Sequence, residues 1–593
     1  MSVVGLEERT TTTTAESESA AGPNKGSNPG IRGKKRFKTT SLGMALMLAP
    51  VAIFYLMFFI WPLLTVALRS FNSDGKAQLS NFSFDNYSAV FADDYLLQIE
   101  GRTVLLAINS TIITVLLAFP TAYFISRLKR KTASLMLLLI LVPFWISIVV
   151  RLFAVTFILS PVGPVNQLSQ AMGFGERVLL YTQPGALVGT VMYLLPYMIL
   201  ILYSGMVAVD PNVMLAAKTM GASPSRSFFG VYLPMIRSSI VSGALLIFIL
   251  SLSFFLVPAI LGGPREQTIS VYIQQQIDIY KWGTASALGV ILLIATVICY
   301  VGVVRLTGSF AVGVGNVQAK GVSAENKFRW SPMMIVSAIF TTVTLALLVI
   351  PVLFVFPLSV GETGTVVFPP RGFTLKWFGE IFNGDFWMAS AMRSLVVAIG
   401  AAIISVAIAL ILSRLLSQMR SKGGKAVIGA MAFAPIITPA ILLAIGLYDV
   451  ELRMKLTGTV LGLILAHVVV SMPLAFALIS SAMEGVDRGT EEAAWTLGAS
   501  RTKSFWSIVV RGIIPSITGA FAIAFVTSWD EVVLALFLQT GPTKTLPVAI
   551  YKYLESGIVP TVPAVASLMV TLVLVVVALR AIVSRVRSSR SHA

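Results

Sequence analysis

One cysteine in 593 residues, Cys299, sits inside an apolar run and has no partner for an intrachain disulfide. Two histidines, His467 and His592, are too few for a histidine-rich metal site. Charge is scarce as well: Asp, Glu, Lys and Arg make up 12% of the chain, about half their usual share in a soluble domain. No Gly-x4-Gly-Lys-Ser/Thr phosphate loop occurs, since Gly423-Gly424-Lys425-Ala426 lacks both the spacing and the hydroxyl residue. Disulfide scaffolds, metal enzymes of the histidine type and nucleotide hydrolysis by this chain are thereby excluded. No catalytic residue and no metal ligand is expected. A cleavable signal of the usual form is also missing, and residues 1–40, with Thr10–Thr14 among them, read as a disordered cytoplasmic tail.

Apolar residues are what the chain has in abundance: 56% of the total, with a mean hydropathy of +0.86. Crossing a bilayer core takes about 20 such residues in helical form. Runs of this kind recur near 42–68, 103–125, 133–159, 186–206, 239–261 and 284–304, then near 334–358, 394–412, 426–447, 458–480, 516–538 and 563–579. An all-α membrane protein of about twelve transmembrane helices is expected.

The net charge of +18 invites a nucleic-acid reading until its distribution is examined. With a cytoplasmic N-terminus, the inner segments are 1–41, 126–132, 207–238, 305–333, 413–425, 481–515 and 580–593. These hold 30 of the 44 Lys and Arg but only 10 of the 26 Asp and Glu. The excess is a topology signal, with both termini cytoplasmic, and no nucleic-acid partner is expected. Basic clusters such as Arg127–Lys131 fit anionic headgroups of the lipid bilayer.

The chain also repeats itself. Asp210, Ala216-Ala217, Gly221-Ala222-Ser223 and Ser227-Phe228 return as Asp487, Ala493-Ala494, Gly498-Ala499-Ser500 and Ser504-Phe505, always 277 positions later. Six helices per copy is an even number, so the halves are parallel repeats. The expected division is a first half at 41–307, a cytoplasmic linker at 308–330, a second half at 331–580 and a basic cytoplasmic tail at 581–593. Both repeated segments fall in the longest inner loops and have short helix-forming cores, Leu215–Lys218 and Glu491–Trp495.

The pattern Glu492-Ala493-Ala494, three residues, then Gly498 resembles the coupling loop of ABC importer permeases. Its first copy reads Leu215-Ala216-Ala217, then Gly221 and Leu233-Pro234. The first copy lacks the glutamate, and the second has Val510-Arg511 where Leu-Pro stands in the first. Further segments resemble the two permease subunits of spermidine/putrescine importers. They are Pro143-Phe144-Trp145 and Phe255-Leu256-Val257-Pro258 in the first half, and Ser528-Trp529-Asp530-Glu531 in the second. The likeness covers roughly 40–580, as though two subunits had fused.

That resemblance implies two parallel six-helix halves of the type I ABC importer permease fold in a bacterial cytoplasmic (inner) membrane. It also implies an extracytoplasmic solute-binding protein and two copies of a cytoplasmic ABC ATPase, which bind the ATP and Mg while this chain binds no cofactor. Asp210, Leu215, Ala216, Ala217 and Gly221, with Asp487, Glu492, Ala493, Ala494 and Gly498, would carry ATPase coupling. The cargo implied is a small cationic solute, a polyamine. Iron(III), opine or phosphonate importers share much of the pattern, and an ion-coupled secondary transporter is the rival of another class.

Charges within the predicted spans mark a pathway. Counting from 516, Asp530 lies about 21 Å from the inner face, beyond the midplane, with Glu531 next to it. Arg151 reaches a comparable depth of about 27 Å. Carboxylates at such depth face water, a partner or a pathway, so a substrate contact and a structural ion pair with Arg151 both stand open. Trp529 offers a cation–π face, and Phe254, Phe255, Tyr193 and Tyr197 are candidates to line the path, although membrane aromatics more often simply pack. Asp449 and Glu451, at an outer helix end, are expected on a solvated face. His467 is expected to be a hydrogen-bonded interhelical residue.

Overall fold

The computed structural model describes residues 48–78, 81–307, 330–419, 421–557 and 559–590. The expected N-terminal tail, the linker except for Trp330, and His592 lie outside the described residues.

Helices in chain order are α1 (Leu48–Ser70), α2 (Asp94–Arg127), α3 (Arg130–Leu141), α4 (Ile148–Leu159), α5 (Gln183–Val207), α6 (Pro211–Thr219), α7 (Leu233–Leu252), α8 (Leu256–Leu261) and α9 (Trp282–Thr307). The second set is α10 (Pro332–Ser359), α11 (Asp385–Gln418), α12 (Lys422–Ile437), α13 (Ala440–Met454), α14 (Val460–Glu484), α15 (Arg488–Thr496), α16 (Ile514–Trp529), α17 (Val533–Leu538) and α18 (Thr561–Arg590).

Over the described residues each of the twelve expected windows is helical, but several are not simple rods. Among the described residues nine helices are long and apolar enough to cross a membrane, or up to eleven if each of two bent pairs forms one span. Thr561–Val576 is a shorter apolar stretch within α18. The window 133–159 is split into α3 and α4 by a 3-10 turn at Val142–Trp145, where Pro143 has no N–H to continue the ladder. The window 426–447 bends by 99° at Thr438-Pro439. In 239–261 and 516–538 the chain leaves the helix at Ser253–Phe255 and Asp530–Val532.

The duplication holds at the level of packing. α2 and α11 are both 34 residues, 291 positions apart, while α5 and α14 are both 25 residues, 277 apart. α2, α5 and α7 pack on one another as α11, α14 and α16 do. Each half lends its first helix to the other: α10 packs on α2 and α4 of the first half, and α1 packs on α13 of the second as well as on α9 of its own.

Lipid offers little hydrophobic drive between helices, so small and hydroxylated residues make the joints. Thr121 and Thr344 meet at 3.1 Å across the halves, while Ser110–Ser251 at 2.7 Å and Ser405–Ser471 at 2.8 Å tie helices within them. At the α1–α13 crossing a Cβ on Gly446 would lie 2.4 Å from the Pro62 carbonyl oxygen, so the backbones meet only because Gly446 has none.

Candidate functional site

The breaks at Ser253–Phe255 and Asp530–Val532 occupy equivalent places, 277 positions apart, and face one cavity of about 280 Å³ where the halves meet. The lining repeats in register: Tyr193 with Val470, Tyr197 with Leu474, Ser253 with Asp530 and Phe254 with Glu531. The walls are therefore matched in position and unequal in chemistry. The first half supplies Arg151 and aromatic rings; the second supplies both carboxylates.

Asp530 is held from the opposite half. Its Oδ1 accepts from the Ile148 backbone N–H at 2.6 Å, a donor left free because Ile148 opens α4. Its Oδ2 lies 4.0 Å from Arg151 Nη2. The Arg151 guanidinium also sits 5.2 Å over the Tyr193 ring, and Tyr193 packs at 4.8 Å against Phe254 and 6.0 Å against Tyr197. Glu531 turns to its own element: Oε1 accepts from Leu534 N–H at 2.8 Å, capping the first turn of α17. No ion-pair partner of Glu531 lies within 4.0 Å among the described residues.

Of the pathway residues read from the sequence, Arg151, Tyr193, Tyr197, Phe254, Phe255, Asp530 and Glu531 converge on this cavity. Trp529 does not line it; its ring stacks on Phe525, with centroids 5.9 Å apart. Ser253, Thr438 and Thr527 belong to the lining and were missed, as was the Ile148 amide. Ser253 could have been found by carrying Asp530 back through the 277-residue register. A backbone donor leaves no such signal.

Two acids near the C-terminal end of α13 depart from expectation. Asp449 is buried between Arg69 of α1, at 2.6 Å, and Arg453, at 3.1 Å. Glu451 is fully buried, and neither of its carboxylate oxygens has a hydrogen-bond partner among the described residues. Packing of α1 against α13 covers Asp449, while Glu451, about 200° around the helix, turns toward Gly462 of α14. His467 does bridge helices, with Nδ1 2.8 Å from Ser528 Oγ.

The repeated loops fold alike down to single hydrogen bonds. Asp210 Oδ1 accepts from Asn212 N–H and Asp487 Oδ1 from Gly489 N–H, each at 2.9 Å, starting α6 and α15. Both helices end on a glycine in the left-handed region, Gly221 at φ +82° and Gly498 at φ +88°. Ala222 N–H then closes on the Ala217 carbonyl and Ala499 N–H on that of Ala494, both at 3.0 Å. Among the described residues, nothing beyond each glycine's own neighbours lies within 4 Å of a Cβ built on it. Leu215, Ala216, Glu492 and Ala493 are exposed, as are Met220 at 82% and Leu497 at 88%, whereas Ala217 is buried and Ala494 half-buried. Each loop thus offers a small open surface with protruding apolar side chains, Leu215 and Met220 in the first and Leu497 in the second.

An all-helical membrane scaffold in two matching halves, with a charged cavity at their junction, is the architecture of a solute permease. The chain belongs to the family described as Binding-protein-dependent transport system inner membrane component, whose pattern matches residues 110–309 and 405–588. It is a multi-span permease that carries this family's domain twice, in the two-halved arrangement of type I ABC importers.

Its relatives include the spermidine/putrescine transport system permease protein PotB of Haemophilus influenzae, 30% identical over 40% of this chain and 84% of that protein. PotC of the same organism is 29% identical over 36% of this chain and 83% of that protein. PotB of Salmonella typhi is 27% identical over 43% and 91%. Among solved structures, a bacterial alginate ABC transporter in complex with an alginate pentasaccharide-bound periplasmic protein aligns at TM-score 0.39 and 17% identity, over 46% of this chain and 97% of that one.

Proposed function

We propose that this chain is the whole membrane pathway of an ATP-driven importer, taking a small cationic solute, a polyamine such as putrescine or spermidine, into the cytoplasm by alternating access. The observation that carries the reading is the charge of the junction cavity, where two carboxylates face one arginine and Arg151 is already engaged by Asp530 and Tyr193. Glu531 is left as the acid best placed to meet a passing ammonium, with Tyr193 and Phe254 as aromatic walls. The names of the relatives point to the same cargo.

In this reading the basic segments and both termini are cytoplasmic. One ATPase subunit docks on α6 and its neighbour at 210–228, the other on α15 at 487–505, and the ATP and Mg belong to those subunits. A binding protein delivers solute to the opposite side. An anionic cargo such as an opine or a phosphonate would have to draw Arg151 away from Asp530.

Uptake into proteoliposomes containing ATPase and binding protein, normalised to assembled complex, tests the proposal. Glu531→Gln should lower spermidine uptake about tenfold, the worth of one charge-assisted contact of roughly 1.4 kcal/mol. Parental uptake by Glu531→Gln, Asp530→Asn and the double variant would remove the carboxylates from the pathway.

A further inference from the structure

Glu491 and Glu492 stand side by side on α15, yet, pointing about 100° apart, they meet different surroundings. Glu492 is exposed, while Glu491 is buried against α11. Arg414, in the last turns of α11, grips Glu491 with both ends of its fork: Nη1 donates to Oε2 at 2.9 Å and Nη2 donates to Oε1. The same guanidinium lies 4.8 Å over the ring of Phe505, which opens the stretch leading to α16. Side-chain exposure is only 13% for Arg414 and 9% for Glu491.

Among the described residues the first half has no such pair. Carried back by 277 positions, Glu491 becomes Met214 and Phe505 becomes Phe228; carried back by 291 along the matched helices, Arg414 becomes Tyr123. There Tyr123 meets Phe228 edge-on at 6.0 Å, and Met214 packs on the same apolar cluster. One docking helix is seated by a directional, two-pronged ion pair; its twin rests on an aromatic cluster that Arg127 covers, 5.0 Å over Tyr123 and 5.2 Å over Tyr232, without a carboxylate to fix it.

We infer that Glu491 and Arg414 form a transmission clamp that fixes the second docking helix to α11, making the two ATPase docking sites mechanically unequal. α11, α15 and the Phe505 stretch move as one body when an ATPase closes on the second loop, and α11 packs directly on α16, which ends at Asp530. Glu491 and Arg414 are positioning residues, and Glu492 remains free for the partner. The inference rests on the proposed docking of ATPase subunits at 487–505.

The test is the ATP hydrolysed per spermidine imported in reconstituted complex, measured for Glu491→Gln, Arg414→Gln, the charge swap Glu491→Arg with Arg414→Glu, and Met214→Gln. Removing one partner of a buried bidentate pair should raise that ratio about tenfold while ATPase subunits stay bound. The swap should bring it back to within about threefold, and Met214→Gln should move it less than that. An unchanged ratio in both single variants, an equal rise in Met214→Gln, or no recovery in the swap would overturn the clamp. Gly498→Trp is the separate control for docking: parental import by that variant would overturn the docking reading itself.

Discussion

Neutralising Asp530 and neutralising Glu531 should have different consequences, because the two acids have different surroundings. Asp530→Asn leaves Arg151 buried at 8% exposure without its carboxylate, a loss expected to be about 1–2 kcal/mol given the 4.0 Å contact. Thermal unfolding in nanodiscs should show the drop, and Arg151→Met in the same chain should return most of it. If Asp530→Asn melts with the parent, the cross-half tie is not structural. Glu531→Gln keeps its oxygen acceptor for Leu534 N–H, so its melting should be nearly unchanged while uptake falls. Depth counting from the sequence placed these acids within a span, and the structure sets them at the break between α16 and α17. The count could not say which of them Arg151 meets, because residues 151 and 530 come together only through packing of the two halves. Trp529 shows the same limit: an adjacent position points about 100° away on a helix, and its ring stacks on Phe525 instead of entering the cavity.

Single elements depend on backbone conformation that composition hides. At Gly221 and Gly498 an added Cβ has open space but sits on a left-handed backbone, costing about 1–2 kcal/mol of local strain. Gly498→Ala should therefore still co-purify with ATPase at reduced yield. Gly498→Trp, which places an indole on the exposed surface beside Leu497, should lose it. Equal co-purification of both variants would show that the glycine serves only its own turn. Gly446 is the opposite case, with strain-free backbone and no room: Gly446→Val should destabilise the α1–α13 crossing by about 1–3 kcal/mol, read as a lower melting temperature. The repeated Gly-Ala-Ser segments made α6 and α15 legible from the sequence, since a helix-ending glycine after an alanine pair is a local signal. The breaks at Ser253–Phe255 and Asp530–Val532 were not legible, because hydropathy runs straight through them and the non-helical backbone is tolerated only where it lines a cavity.

For the whole molecule, twelve hydrophobic windows and the 277-residue repeat foretold an all-helical chain in two halves. The exchange of first helices, with Arg69 of α1 meeting Asp449 of α13 and Thr121 of α2 meeting Thr344 of α10, was invisible because it joins positions hundreds of residues apart. The orientation rests on charge and can be tested with single cysteines in a Cys299→Ala background. Exposed positions Ser223, Ser421 and Ser500 should resist an impermeant thiol reagent in intact cells, and Asn383 should react. Labelling at 223 or 500 would invert the topology. The central claim, that this single chain is a complete cation import pathway driven by separate ATPases, is tested most directly by transport itself. Purified chain is reconstituted in liposomes with its ATPase and binding protein, and uptake of radiolabelled spermidine is measured with and without ATP. The account predicts uptake that needs ATP, needs the binding protein, stops with vanadate and requires no second permease chain; uptake that continues without ATP and ignores vanadate, driven instead by an ion gradient, would contradict it.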